Sequence, residues 1–111
     1  MIKLKTEKDL QNLRVSGKIL VSVMDALVKN SLEGTSLKSL DEHARMLINK
    51  AGAKPAFLGY QPECSHHFYP AAICTSVNEQ IVHGVPSDYT LKQGDVFKID
   101  LGINFNGFFI D

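Results

Sequence analysis

At 111 residues the chain is long enough for one domain with a core of its own. Lysine plus arginine and aspartate plus glutamate balance at 12 each, so no overall field draws it to nucleic acid or to a membrane surface. An apolar fraction of 44% is that of an ordinary globular protein, no stretch approaches a membrane span, and the first residues lack the apolar run of a signal peptide.

Thr6, followed by Glu7 and Asp9, reads as a helix N-cap with acidic first-turn residues. Leu10, Leu13, Leu20, Met24 and Leu27 then recur at helical spacing, and Ile19, Val23 and Val28 widen the stripe. Gly17 falls within it and permits a close approach, while Gly34 punctuates the exit. A second helix starts near Thr35-Ser36, either of which can cap it. Its expected buried side is Leu40, Ala44, Leu47 and Ala51, and its wet side Asp41, Glu42, Arg45 and Lys50, with His43 an ordinary surface histidine. Gly52 suits the C′ position, and Pro55 follows three residues on.

From Ala56 the period changes. Ala56–Tyr60 and Ala71–Val77 are strand candidates, and Gln61–Phe68 between them reads as a polar loop. Ile81-Val82-His83-Gly84-Val85-Pro86 is a short apolar run interrupted by a histidine and closed by turn formers. The order of helix, helix and then strands predicts an α+β domain spanning 1–111, with helices on one face of an antiparallel-rich sheet. Two cysteines, Cys64 and Cys74, are too few for a disulfide framework, so reduced thiols in the cytoplasm are expected.

The closing stretch, Asp95 to Asp111, reads as a hairpin reversed at Asn106-Gly107 through a type I′ turn. That register sets Phe105 against Phe108, Asn104 against Phe109, Ile103 against Ile110 and Gly102 against Asp111. Asp100 then shares a sheet face with Gly102, and Asp100 and Asp111 become diagonal neighbours with Cβ atoms on the order of 7 Å apart. Two carboxylates so placed can hold one or two divalent ions, with room left by Gly102. The bland alternative is a solvated Asp100 and an Asp111 that is only a chain end. The hairpin alone does not choose between them.

Tyr69-Pro-Ala-Ala-Ile-Cys-Thr-Ser-Val-Asn-Glu-Gln-Ile-Val-His-Gly-Val-Pro-Ser87 resembles the type I methionine aminopeptidases, as do Lys-Pro-Ala-Phe-Leu-Gly-Tyr60 before it and the paired aspartates after it. The resemblance runs from Met1 over essentially the whole chain. It implies the N-terminal half of the pita-bread (creatinase/aminopeptidase) fold and removal of the initiator methionine from nascent polypeptides, by a hydroxide bridging up to two divalent ions, Co, Mn, Fe or Zn. It implies that Asp100 and Asp111 are metal ligands and that His83 hydrogen-bonds the substrate near the scissile amide. Phe57, Tyr60, Tyr69 and Cys74 fall where the family builds its pocket for the methionine side chain. For Phe57 and Cys74, a place in a plain core is an equal alternative. Cys64-Ser-His66-His67, in a loop longer than in the best-known bacterial members, lacks the spacing of structural zinc and reads as solvated.

The family's remaining ligands, a histidine and two glutamates, lie beyond the stretch matched here. The expectation is a chain truncated after its second ligand and inactive alone, whose partner is a chain carrying the missing half. Two other readings remain, a non-catalytic peptide-binding fragment and an aminopeptidase P or prolidase relative. Ser76-Val-Asn-Glu79 argues against the latter.

Overall fold

The computed structural model describes residues 1–111. The first helix, α1, spans Glu7–Asn30 and is started by a reciprocal cap. Thr6 Oγ1 accepts from the Asp9 N–H at 3.1 Å, and Asp9 Oδ2 accepts from the Thr6 N–H at 2.8 Å. It closes at Ser31, three residues before Gly34, and the Ser31 hydroxyl donates to the Leu27 carbonyl at 2.7 Å.

The buried stripe of α1 runs through Ser16, Val23 and Leu27. Leu10, expected inside, is 37% exposed and Val28 is 61% exposed. Asn106 at the hairpin tip bonds Asn12, and Leu10 lies two residues nearer the N-terminal end of α1. Ser16 is buried because its hydroxyl donates to the Phe108 carbonyl at 3.1 Å. Gly17 allows the close approach its sequence position suggested, with Ile110 Cδ1 3.4 Å from where a Cβ would stand.

The second helix, α2, spans Leu37–Lys50 and is capped by Ser36, whose hydroxyl accepts from the Ser39 N–H at 3.1 Å. It ends in a Schellman motif. Gly52, at φ +79°, donates to the Asn49 carbonyl, and Ala53 donates to that of Ile48. Leu40 and Ala44 are buried as expected, joined by Leu37 and Ile48, whereas Ala51 is exposed at the C-cap. Asp41 is the main correction on this helix. Placed on the wet side by sequence, it is 5% exposed.

Five short strands follow: β1 (Lys54–Pro55), β2 (Ile73–Val77), β3 (Phe97–Leu101), β4 (Ile103–Phe105) and β5 (Phe108–Ile110). The expected strand at Ala56–Tyr60 is displaced to Lys54–Pro55. After the Ala56 N–H bonds the Gly102 carbonyl at 3.0 Å, the chain turns, with Gly59 at φ +80° and the Tyr60 N–H returning to the Phe57 carbonyl. The expected strand at Ala71–Val77 starts two residues late, at Ile73.

The strands form two antiparallel groups, β1-β4-β5 and β2-β3. The hairpin register is the one read from Asn106-Gly107, with Phe105 on Phe108, Asn104 on Phe109 and Ile103 on Ile110. One continuous ribbon passes from the β2 partner to the β1 partner at Gly102, which is buried. Val23, Leu27, Leu40, Ala44, Ile48, Ile73, Leu101 and Ile103 form the core between helices and sheets.

Candidate functional site

Strand alternation decides what β2 and β3 present. Ile73 and Val77 turn into the core with Leu101, so Cys74 and its cross-strand partner Asp100 face the other way. There they border a cavity of about 600 Å³, and Asp111 reaches the same cavity from the end of β5. Phe57, Tyr60, Tyr69 and His83 complete the set of sequence-selected residues, so all seven line one space.

The two carboxylates are uncommitted. The ion pairs of the chain join Arg14 to Glu7, Lys38 to Asp88 and Arg45 to Asp41, none of them at the cavity. No group of three or more histidine, cysteine, aspartate or glutamate side chains is arranged to hold a metal ion. Asp100 and Asp111 thus bring carboxylate oxygens, the donor type that could hold a divalent ion, to one cavity. Gly102 does not leave open room between the carboxylates. A Cβ there would stand 2.7 Å from Phe57 Cε1 and 3.2 Å from the Ala56 Cβ, so the absent side chain makes space for the Phe57 ring.

The floor of the cavity is kept neutral. Burial pushes the Cys74 thiol up and Asp100 adds to the rise, while the Tyr69 hydroxyl beside it pulls the other way. Burial, with Cys74 next to it, raises the Tyr69 phenol well above its ordinary value. That hydroxyl donates to the Ile73 carbonyl at 2.8 Å, which pins the ring over the start of β2. A thiol and a phenol that both stay protonated make a wall suited to an apolar, polarisable side chain.

His83 owes its place to its neighbour. The Gly84 N–H donates to Ser76 Oγ at 3.1 Å, and the Thr75 N–H donates to the Gly84 carbonyl at 2.7 Å. A Cβ on Gly84 would stand 1.9 Å from the Thr75 carbonyl oxygen, so only glycine can lie this close to β2. His83 takes φ +59° to leave that contact and turns an exposed imidazole to the cavity.

The turn preceding this loop is fixed by Asn78, itself at φ +54°. Its Oδ1 accepts from the Val96 N–H at 2.9 Å and its Nδ2 donates to Asp95 at 3.0 Å. Asp95 also accepts from the Tyr89 hydroxyl at 2.8 Å. The Asn78 amide, the Lys92 N–H and that phenol together hold its carboxyl below the usual range.

Two features escaped the sequence. Asp41 Oδ1 accepts from the Ala72 and Ile73 N–H groups at 2.7 and 3.1 Å, and Oδ2 accepts from Arg45 Nε at 2.8 Å. Arg45 Nη2 donates onward to the Pro70 carbonyl, so one buried carboxylate fastens α2 to the segment between Tyr69 and Cys74. The available signal was the Asp-Arg pair four residues apart beside an apolar stripe. The second is the Gln61–Phe68 loop. Read as solvated, and largely exposed, it nonetheless contributes Pro62, Ser65, His67 and Phe68 to the cavity.

Two helices packed on antiparallel strands, with Asp100 of β3 and Asp111 just past β5 facing one cavity, are the arrangement of the pita-bread class of fold. Residues 11–111 match the model of Metallopeptidase family M24, and the chain belongs to that family. It is 39% identical over 108 residues to the methionine aminopeptidase of Aquifex aeolicus, covering 96% of this chain and 42% of that protein. It is 40% identical over 108 residues to methionine aminopeptidase 1 of Bacillus subtilis, covering 97% of this chain and 41% of that one. The crystal structure of methionine aminopeptidase from Rickettsia prowazekii superposes with a TM-score of 0.88 at 33% identity, covering 98% of this chain and 42% of the other. The chain thus spans about two-fifths of the length of these relatives and corresponds to their N-terminal half. No helix is long and apolar enough to cross a membrane.

Proposed function

We propose that the chain forms the N-terminal half of a metal-dependent aminopeptidase that removes methionine from polypeptide N-termini. The observation that carries this reading is the convergence of two unpaired carboxylates, Asp100 and Asp111, with His83 on a cavity whose floor is neutral and apolar. Asp100 and Asp111 would hold divalent metal, for which Co, Mn, Fe and Zn all tolerate carboxylate donors. When bound, such ions supply a water of lowered pKa and polarise the carbonyl it meets.

The chain's own residues do the rest. Phe57, Tyr69 and Cys74 take the methionine side chain and exclude water from it, the aromatic rings meeting the thioether. Tyr60 lies at the mouth. His83, aimed from a glycine-anchored loop, donates to the scissile amide and stabilises charge as it develops there. The Asp41 carboxylate keeps Tyr69 and Cys74 in register with one another. Because two aspartates do not complete a ligand set, turnover requires further donors from the remaining half of the fold, and this segment by itself is inactive.

The test is complementation. The 111-residue chain is mixed with a C-terminal half from a relative, and methionine release from Met-Ala-Ser is followed with Mn or Co present. Release that depends on both halves and on metal is expected, and Asp100→Ala should abolish it. Release that survives Asp100→Ala would remove the ligand assignment. A second reading, a non-catalytic peptide-binding fragment, is favoured by the lack of a third ligand near the aspartates. It predicts metal-independent affinity for methionyl peptides and no turnover from the complemented pair.

A further inference from the structure

We propose that the Gln61–Phe68 loop is a second binding wall of the cavity, holding the part of a peptide beyond its first residue and favouring an apolar side chain there. This rests on the peptide-binding reading above. The loop is tied at both ends and within. The Gly59 N–H donates to the Tyr69 carbonyl at 2.8 Å and the Tyr69 N–H to that of Tyr60 at 2.7 Å, which closes its stem. Gln61 Nε2 donates to the Ser65 carbonyl at 2.7 Å, the Ser65 N–H to the Pro62 carbonyl at 3.0 Å, and the His67 N–H to Ser65 Oγ at 3.1 Å. These bonds shape the loop that places His67 and Phe68 on the cavity wall.

Depth separates the two ends of the cavity. Cys74 at the floor is 7% exposed, whereas Phe68 at the rim is 64% exposed. A volume of about 600 Å³ exceeds what one methionine side chain needs. Pockets of roughly 300–1,000 Å³ enclose drug-sized molecules, a size that a short peptide reaches. With the first side chain on the floor, the following residues pass the rim, where Phe68 offers an apolar ring and the exposed His67 imidazole a hydrogen bond to the peptide backbone. No lysine or arginine lines the cavity, and Asp100 and Asp111 do. An acidic side chain at the rim would find no lysine or arginine to pair with.

The experiment is an NMR titration of the full 111-residue chain with methioninamide, Met-Ala-Phe-amide and Met-Ala-Asp-amide. Met-Ala-Phe-amide should shift resonances of both Cys74 and the Ser65–Phe68 segment and bind more tightly than Met-Ala-Asp-amide. Methioninamide should shift the Cys74 region alone. Phe68→Ala, at an exposed position that the fold does not use, should weaken Met-Ala-Phe-amide roughly three- to tenfold and leave methioninamide unchanged. Equal binding of the two tripeptides, or indifference to Phe68→Ala while Cys74 still shifts, overturns the loop proposal and leaves the peptide-binding reading standing. No shift with any ligand overturns both.

Discussion

The chain takes a left-handed residue immediately before a glycine at two places, and they serve opposite ends. At the hairpin tip, Asn106 and Gly107 have φ +53° and +84°, and a Cβ on Gly107 would meet nothing within 4 Å. There the glycine answers a local demand of turn geometry. Beside β2, His83 has φ +59° and Gly84 is pressed against Thr75, its hypothetical Cβ 1.9 Å from the carbonyl oxygen. Here the glycine answers a tertiary demand, and the unusual conformation falls on the histidine. A non-glycine residue held in the left-handed region costs on the order of 1 kcal/mol, so the surrounding contacts must impose it. The Gly84 bonds to Ser76 and Thr75 are those contacts.

The comparison is broken most directly by adding one methyl group at each glycine. Gly84→Ala forces backbone away from backbone and should cost about 3 kcal/mol or more, read as a lowered urea midpoint. It should also displace His83 from the cavity, seen as loss of its NMR shift on peptide addition. Asp41→Ala comes next. It leaves the Ala72 and Ile73 N–H groups without their acceptor and Arg45 without its anion, at a cost of about 2–3 kcal/mol, since Arg45 is partly solvated. Gly107→Ala meets no atoms and pays only for its φ, about 1 kcal/mol. A Gly107→Ala penalty as large as that of Gly84→Ala would mean that the two sites do not differ in kind.

The same division explains what could be read from the chain. Thr6 with Asp9, Ser36, Gly52 and Asn106-Gly107 act within a few residues of themselves, and each does in space what its neighbours in sequence suggest. The pairing of Asp100 and Asp111 on one cavity follows from hairpin register and strand alternation, so it too was legible. Asp41 was not, because its acceptor role is set by Ala72 and Ile73, distant in sequence and brought near by packing of α2 on β2. Ala56–Tyr60 looked like a strand on apolar content, but its partner β4 has only three residues and β1 takes a place at its start. The lining role of His67 and Phe68 depends on a loop stem closed by Tyr60 and Tyr69 backbone, which composition does not reveal.

The smallest effect sharpens the comparison from the Asn78 side, where a left-handed asparagine is held by an acid and not by a close-packed glycine. Asp95 is depressed first by the Asn78 amide, then by the Lys92 N–H and the Tyr89 hydroxyl. A carboxylate depressed in the folded state contributes stability that is fully present above its unfolded value, about 3.9, and lost as pH falls through the lower folded value. The stability gap between the parent chain and Asp95→Ala should therefore be constant near neutral pH, begin to narrow around pH 4, and continue to close below it. Urea midpoints across that range test this. A gap that persists unchanged at low pH would show that Asp95 acts on the Asn78 turn by packing and not by its charge.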